Sequence, residues 1–171
     1  NQSDFISHYI GCNMFFRYSL EGHLRMLKDH IAYCHRYVPQ WNSLSIVGQH
    51  AQQGGATPVQ ALAFALASGI FYVEECLKSG LNVHELVPRF SFFFDVSNQF
   101  FEEIAKLRAA RRMWARILQD RFGIKDGRMK FHAQTSGVDL TAAQPLNNIA
   151  RVAIQALAAI LGGVQSLHTD A

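Results

Sequence analysis

The sequence predicts an α/β fold in which parallel strands alternate with helices, as in part of a (β/α)8 barrel of the TIM type. Segments with the two-residue period of strands alternate along the chain with segments that have the period of helices. No tight hairpin joins two strands, so the strands must be parallel and linked by right-handed crossovers. A doubly wound sheet satisfies these observations as well as a barrel does. Polar side chains at the ends of three of the four strands favour the barrel.

The first half of the chain predicts helix, strand and helix. A helix over residues 21–38 is indicated by apolar residues at three- and four-residue steps. A strand over 43–48 is followed by Gln49 and His50 and then by a loose polar turn over 52–55. Thr57 caps the next helix, which covers 58–79 and starts with proline. The expected buried stripe of that helix is Val59, Leu62, Leu66, Ile70 and Val73.

The second half predicts strand, helix, strand, helix and strand. The strands are expected over 89–96, 129–135 and 164–169, and the long helix between the first two over 98–121. The last helix is expected to begin with a capping box at 141–144 and to end at the paired glycines 162 and 163. Its expected apolar stripe is Ile149, Val152, Leu157 and Ile160, and Gly123 is the expected stop of the long helix.

The strand over 43–48 carries the strongest candidate for chemistry. Ser43 and Ser45 occupy the side that bulky aliphatic residues would fill in a packed core, so something polar is expected against that side. The strand then breaks at Gly48 and presents Gln49 and His50, at the place where α/β proteins usually put functional residues. A hydrogen-bonded structural histidine is an equally good interpretation of His50 from this stretch alone.

The other polar strand ends are Gln134, and Gln165 with His168. Four strands cannot close a barrel, and an open half would expose strand edges and an apolar inner face. We therefore expect the chain to belong to a longer protein or to pair with a complementary half. The absence of an initiator methionine favours a chain cut from something longer.

Composition narrows the function classes. A net charge of +3 is too small to indicate nucleic-acid binding, and the basic run from Lys106 to Arg116 is predicted to be a solvated helix face. Three cysteines without metal-ligand spacing predict no metal site and a reduced, cytoplasmic compartment. No signal peptide or apolar span long enough for a membrane is expected. No glycine-rich phosphate loop follows a strand, which disfavours nucleotide binding.

Several long segments resemble the adenosylcobalamin-dependent acyl-CoA mutases, the family of methylmalonyl-CoA mutase. They are NSLSIVGQHAQQGGAT, PRFSFFFDVSNQFFEEIAKLRAARRMWARI, FHAQTSGVDLTAAQPLNNIARVAIQALAAILGG and QSLHT. The resemblance implies that residues 1–171 form the C-terminal part of the acyl-CoA-binding barrel, from the end of its fourth strand to its eighth. It also implies an isomerase that works as a dimer or hetero-oligomer. The cobalamin-binding domain, with its DxHxxG motif, is expected in another domain or a small subunit.

The resemblance also implies a mechanism. A radical derived from adenosylcobalamin removes a substrate hydrogen, and the thioester group then migrates to the neighbouring carbon. His50 matches the histidine that hydrogen-bonds the thioester carbonyl, and Gln2, followed by Asp4, matches a glutamine that contacts the same carbonyl. The other implied substrate contacts are Ser43, Ser45, Arg89, Ser91, Gln134 and Gln165, and the implied cofactor contacts are Gln53, Gly137 and Val138.

Departures from the family pattern leave the substrate open. Cys12 occupies the position at which the family has an arginine that binds the carboxylate of methylmalonyl-CoA. A thiol cannot form that bidentate ion pair. Arg17 lies nearby in the sequence and is a candidate to replace the arginine. Gln49, Gln53 and Val138 replace a tyrosine, a glutamate and a tryptophan. An isobutyryl- or hydroxyacyl-type substrate is then as reasonable as a malonyl-type one. The alternatives to a mutase are a non-catalytic half-barrel that binds acyl-CoA or assists assembly, and a hydrolase built on His50, for which no nucleophile is visible.

Overall fold

A computed structural model describes residues 20–170. Strands and helices alternate as predicted. In chain order the elements are α1 (Leu20–Tyr37), β1 (Leu44–Val47), α2 (Gln49–Gln53), α3 (Pro58–Lys78), α4 (Val83–Leu86), β2 (Phe90–Val96), α5 (Phe100–Phe122), β3 (Lys130–Thr135), α6 (Asn147–Leu161) and β4 (Ser166–His168). Short 3-10 turns lie at Val87–Arg89 and Gly137–Asp139.

The four strands form one parallel sheet in the order β1-β2-β3-β4. Each strand therefore pairs with the next one along the chain, and the order never reverses. A doubly wound sheet contains a switch point at which the order reverses, whereas a (β/α) barrel winds in one direction. The sheet thus has the winding of part of a (β/α)8 barrel, and the predicted fold class is confirmed.

One face of the sheet packs against the helices and forms the core. The core strand residues are Leu44, Ile46, Phe90, Phe92, Phe94, Val96, Phe131 and Ala133, all almost fully buried. Trp114 on α5 meets Phe92 edge to face, with ring centroids 5.0 Å apart. Gly69 on α3 faces the same indole, because a Cβ at this position would lie 2.8 Å from Trp114 Cζ3. Alternation along the strands therefore puts Ser45 and Ser91 on the other, inner face.

Helix α3 begins as the sequence predicts. The Thr57 hydroxyl accepts from the Gln60 N–H, and the Gln60 side chain accepts from the Thr57 N–H, a complete capping box. An 18-residue window of α3 has a mean hydropathy of 1.3, so its length and composition suffice to cross a membrane. The expectation that no segment meets this criterion is wrong. Of the predicted stripe, Val59 is exposed, while Leu62, Leu66 and Val73 are buried against the sheet side.

Helix α6 departs most from the prediction. It begins at Asn147, with no side-chain cap, instead of after a capping box at Thr141. Pro145 disfavours a helical conformation in the residue before it, and the Asn148 side chain instead bonds both main-chain groups of Thr141. The predicted apolar stripe is also wrong. Ile149, Leu157 and Ile160 are 71%, 48% and 60% exposed, and the fully buried residues are Gln155, Ala158 and Ala159.

Two further differences concern polar segments. Residues 49–53 form the short helix α2, so Gln52 and Gln53 are helical and not part of the loose turn predicted over 52–55. The basic run on α5 is only partly the predicted solvated face, since Lys106 is 5% exposed and Arg111 donates to the Gly163 carbonyl at 3.0 Å. Arg108, Arg112 and Arg116 are exposed or partly exposed, in line with the prediction. Gly123 ends α5 in a left-handed conformation, also as predicted.

Candidate active site

The carboxyl ends of the strands meet at α2, which follows β1 after one residue. That residue is Gly48, whose N–H donates to the Phe93 carbonyl at 2.8 Å. A Cβ on Gly48 would lie 3.1 Å from Phe94 Cδ1 and 3.3 Å from the Ala61 carbonyl oxygen. The chain can therefore turn tightly at this point only with a very small residue. The turn places Gln49, buried, and His50, exposed, directly at the strand ends.

A chain of hydrogen bonds crosses the sheet at this level. The Gln49 side-chain amide donates to Gln134 Oε1 at 3.2 Å, and Gln134 Nε2 donates to Asp170 Oδ2 at 2.7 Å. Asp170 lies 3.2 Å from His168 Nε2, and its N–H donates to the Thr135 hydroxyl. The residue adjacent to His50 is thus tied to the end of β3, and β3 to the end of β4. The structure thus joins Gln134, a predicted site residue, to Gln49, the chain neighbour of His50.

A second link joins α2 to β2. Gln53 Nε2 donates to Asp95 Oδ1 at 3.2 Å, and Asp95 is the register partner of Gln134 in the sheet. Burial raises the pKa of the Asp95 carboxyl, and the hydrogen bond from Gln53 acts in the opposite direction. The prediction for Gln53 is a cofactor contact; in the structure its amide also supports a buried acid.

An ion pair lies beneath α2. Lys106 and Glu103 on α5 contact each other through ammonium and carboxylate, and both are almost fully buried. Glu103 Oε1 accepts from Gln52 Nε2 at 2.6 Å and from the Ser97 hydroxyl at 2.8 Å. Burial lowers the pKa of Lys106, while the charge of Glu103 acts to raise it. This pair lies among the strand ends but is shielded from solvent.

The inner face of the sheet carries a cavity of about 520 Å³. Seven of its nine lining residues are of polar type, among them Ser91, Lys130, His132, Gln165 and His168. A second cavity of about 490 Å³ lies at the amino ends of the strands and is lined by Lys125, Arg128 and Lys130, with Asp126 and His84. Lys130 borders both cavities, so they meet at one ammonium group.

The predicted serine wall is present on this face. Ser45 and Ser91 are register partners on β1 and β2, and the Ser91 hydroxyl donates to the Leu44 carbonyl at 3.1 Å. Ser43 is buried and borders a small cavity of about 140 Å³ together with Arg89. Arg89 lies in the turn before β2, where Arg89 Nη2 donates to the Gln40 side chain.

The remaining predicted residues lie elsewhere. Gln165 precedes β4, so the expectation that it ends a strand is wrong. Its side chain accepts a hydrogen bond from the Phe131 N–H and donates one to the Gly163 carbonyl. Gly137 and Val138 are exposed in the 3-10 turn after β3, and Val138 borders a further cavity of about 310 Å³. Gln2, Asp4, Cys12 and Arg17 lie outside the described residues.

Sequence reasoning missed several residues of this site. Lys130 gives no signal beyond its position at a strand start, and Asp170 lies after the last predicted strand. His132 bonds Ser166 at 2.8 Å. It follows Lys130 by two residues, so strict alternation in the strand would have placed it on the inner face. Within the described part of the chain, no group of three histidine, cysteine, aspartate or glutamate side chains is arranged to hold a metal ion.

The family model for methylmalonyl-CoA mutase matches residues 1–171, the whole chain. The chain belongs to the methylmalonyl-CoA mutase family. It is 46% identical to methylmalonyl-CoA mutase of Rhizobium meliloti over 99% of its length, which is 24% of that relative. It is 43% identical to a probable mitochondrial methylmalonyl-CoA mutase of Caenorhabditis elegans, again over 99% of its length and 23% of the relative.

A family member that is named for a different substrate is similar to nearly the same extent. The large subunit of 2-hydroxyisobutanoyl-CoA mutase from Aquincola tertiaricarbonis is 40% identical over 99% of this chain and 30% of its own length. All these relatives are named as mutases, a class of isomerases. The chain therefore spans less than a third of the mutases that it matches, and similarity to them does not separate a malonyl-type from a hydroxyacyl-type substrate.

Proposed function

We propose that this chain is the second half of the substrate barrel of an acyl-CoA mutase. The observation that carries the proposal is a polar path along the inner face of the sheet. It runs from the cations of the second cavity, past Lys130 and Ser91, to His168, whose register partner Gln134 bonds Gln49 beside His50. We use the term complete enzyme for this chain together with the remaining barrel strands and a cobalamin-binding domain or small subunit.

The two ends of this path suit the two ends of an acyl-CoA. The cationic groups of Lys125, Arg128 and Lys130 are suited to the phosphates of the coenzyme, since ammonium and guanidinium groups bind phosphate through charge-assisted hydrogen bonds. The serines in the middle leave room for a narrow polar tail, whereas a barrel interior filled with branched aliphatic residues would be closed. A thioester bound along the path would reach the strand ends.

His50 is the group proposed to act on the thioester. Its imidazole is exposed at the strand ends, next to Gln49, which is held by Gln134. An N–H from the imidazole would donate to the thioester carbonyl and stabilise charge on that oxygen while the group migrates between neighbouring carbons. Gln2 is proposed to donate to the same carbonyl. The hydrogen-bonded amides of Gln49 and Gln134 would keep the acyl group oriented.

The described residues at the strand ends suit the adenosyl part of the cofactor. The amides at the strand ends offer hydrogen-bond donors and acceptors for a ribose and a base, and Gln53, Gly137 and Val138 border that region. Adenosylcobalamin, when bound, would supply the radical that starts the rearrangement. Because the chain spans only 23% and 30% of two relatives, we propose that the cobalamin is held mainly by a domain or subunit other than this barrel segment.

Assembly and location belong to the same proposal. Relatives three to four times longer than this chain support further domains or subunits, and one of them is named a large subunit. We propose a dimer or hetero-oligomer that binds acyl-CoA, with no nucleic-acid or membrane partner. A cytoplasmic location is the proposal from cysteine content, although some relatives are named mitochondrial.

The non-catalytic alternative rests on Cys12, Gln49 and Gln53, three positions that differ from the family pattern. In that case the half-barrel binds acyl-CoA, or assists assembly, without rearranging it. The hydrogen bonds of Gln49 and Gln53 to neighbouring strand ends favour the catalytic proposal, because these substitutions are integrated into the site.

The test is rearrangement of acyl-CoAs by the complete enzyme with adenosylcobalamin, followed by separation of the isomers. His50→Ala is expected to lower kcat by about 10²- to 10³-fold, the usual effect of removing a donor to a developing oxyanion. The control is His35→Ala, an exposed histidine on α1 paired with Glu85. Undiminished activity of His50→Ala would refute the assigned role. Tight acyl-CoA binding without any isomer formation by the folded assembly would favour the alternative.

A further inference from the structure

We infer that Lys106 and Glu103 are positioning residues, whose buried ion pair fixes the orientation of α2 and thereby of His50. Neither residue lines the cavity of the inner face or the second cavity at the amino ends of the strands. Their link to the site runs through Gln52, which lies on α2 two residues after His50. The kinetic part of this inference rests on the proposed function; the structural part does not.

The Gln52 side chain is held at both ends. Its Nε2 donates to Glu103 Oε1 at 2.6 Å, and its Oε1 accepts from Lys106 Nζ at 2.8 Å. Lys106 Nζ also donates to the carbonyl oxygen of Asp95 at 2.6 Å, at the end of β2. One ammonium group therefore joins α2, β2 and α5. Hydrogen bonds to charged groups are among the strongest in proteins, and the short distances agree with that.

Helix α2 cannot hold its own orientation. It has five residues, far fewer than an isolated helix needs in water, and Gly54 and Gly55 follow it. Its position must therefore come from contacts with the rest of the protein. Gln49 and Gln53 supply hydrogen bonds to strand ends, and Gln52 supplies the bonds to the ion pair.

The energetics also point to a role beyond stability. Lys106, Glu103 and Gln52 are 5%, 0% and 7% exposed, so two charges have been removed from water. Well-packed apolar residues often replace such a buried pair at no net loss of stability, whereas removal of one partner is strongly destabilising. Apolar residues could not, however, form the two hydrogen bonds that orient the Gln52 amide. We assign to the pair the fixed rotation of α2 that keeps Gln49 and Gln53 toward the strand ends.

The experiment uses Lys106→Met in the complete enzyme, with Lys78→Met as the matched control. Lys78 also pairs with a glutamate three residues earlier, Glu75, but on an exposed part of α3. In the Lys106 variant, amide hydrogen exchange at Gly54, Gly55 and Ala56, whose N–H groups bond the carbonyls of α2, should become at least tenfold faster. Exchange in β2 and β3 should rise only as far as the lower overall stability of the variant accounts for. Unchanged exchange at these three amides would overturn the inference.

A second variant covers the case in which Lys106→Met does not fold. Glu103→Leu combined with Lys106→Met removes both charges, so the thermal midpoint should recover toward that of the unmodified enzyme. Exchange at the three amides should stay fast, and kcat should fall about 10- to 100-fold with KM for acyl-CoA within threefold, because the phosphate end of the path is intact. Native exchange and native kcat in this variant would show that the pair serves stability alone and would overturn the inference.

The outcomes separate this inference from the proposed function. Should the unmodified enzyme rearrange no acyl-CoA, the proposed function fails, and the exchange measurement still decides whether the ion pair holds α2. Fast exchange without loss of kcat would contradict the positioning role while leaving the mutase proposal in place.

Discussion

Lys130 borders both the cavity of the inner face and the second cavity, at the amino ends of the strands. Its replacement by methionine tests whether the phosphate end of coenzyme A binds there. The residue opens β3, is exposed, and its Nζ donates to the Pro88 carbonyl at 3.1 Å. Methionine keeps the unbranched chain and removes only the charge. The fold should therefore be unaffected, and any change should report on the ligand.

The size of the effect follows from the exposure of the ammonium group. Two unit charges 4 Å apart attract by about 1 kcal/mol in bulk water and by about 4 kcal/mol at an effective dielectric constant near 20. Lys130 is exposed but borders cavities on both sides, so a value of about 1–2 kcal/mol is expected. This corresponds to a rise in KM of roughly 5- to 30-fold for acyl-CoA, with little change in kcat.

The assay compares an acyl-CoA with the same acyl group on pantetheine, which lacks the nucleotide and its phosphates. Lys130→Met should raise KM for the first substrate and leave KM for the second unchanged. The effect should also shrink at high salt, because an exposed charge pair is screened. An equal rise in KM for both substrates, or none for acyl-CoA, would refute the proposed direction of the path.

Two further predictions concern the core around the site. Burial raises the folded-state pKa of Asp95, so the contribution of this carboxyl to stability is full below its ordinary pKa near 4 and is lost as pH rises through the folded value. Asp95→Asn should therefore raise the thermal midpoint at pH 7 but not near pH 4. An equal gain at both pH values would contradict burial as the cause. Gly69→Ala should lower the free energy of unfolding in urea by about 1–3 kcal/mol, although alanine favours helix, because its Cβ would meet the Trp114 ring. Trp114→Phe in the same chain should remove part of that loss. If the effects of the two substitutions simply add, the contact does not cause the loss.

The fold could be predicted from the sequence because its strands and large helices have clear periods and stops. The alternation at 43–48 separates the serine side from the core side correctly, as the partners Ser45 and Ser91 show. Helix α2 could not be predicted, since its five residues have no apolar period. Its side chains bind Glu103 and Asp95, at chain separations of 51 and 42 residues.

The error in α6 has a different origin. The period of its large apolar residues predicts that they form the buried face, but the side that meets the sheet carries alanines and Gln155. Gln155 Nε2 donates to the Ser136 carbonyl at 3.2 Å and to Asp139 at 3.0 Å, which requires close approach of the helix to the end of β3. Small residues permit that approach, so size rather than hydrophobicity decides the orientation.

The candidate site could be predicted residue by residue but not as an arrangement. Gln49 and Gln134 are each predicted at a strand end, and the bond between them spans 85 residues of chain. Lys106 is predicted in solvent because it belongs to a run of basic residues. Lys106 is buried because α5 packs there against α2 and the end of β2, where its ammonium bonds Gln52 and Asp95.

The charge distribution at the strand ends bears on the substrate. The side chains proposed to surround the acyl group, Gln49, Gln53 and Gln134, are neutral amides, and the buried ammonium of Lys106 is engaged by Glu103. A substrate carboxylate placed among amides would receive single hydrogen bonds without the opposite charge and the bidentate geometry that an arginine supplies. We therefore expect the complete enzyme to rearrange a neutral isobutyryl- or hydroxyacyl-CoA with a kcat/KM at least tenfold above that for methylmalonyl-CoA. The opposite preference would mean that a cation outside the described residues, with Arg17 the first to test by Arg17→Met, supplies the clamp that Cys12 cannot.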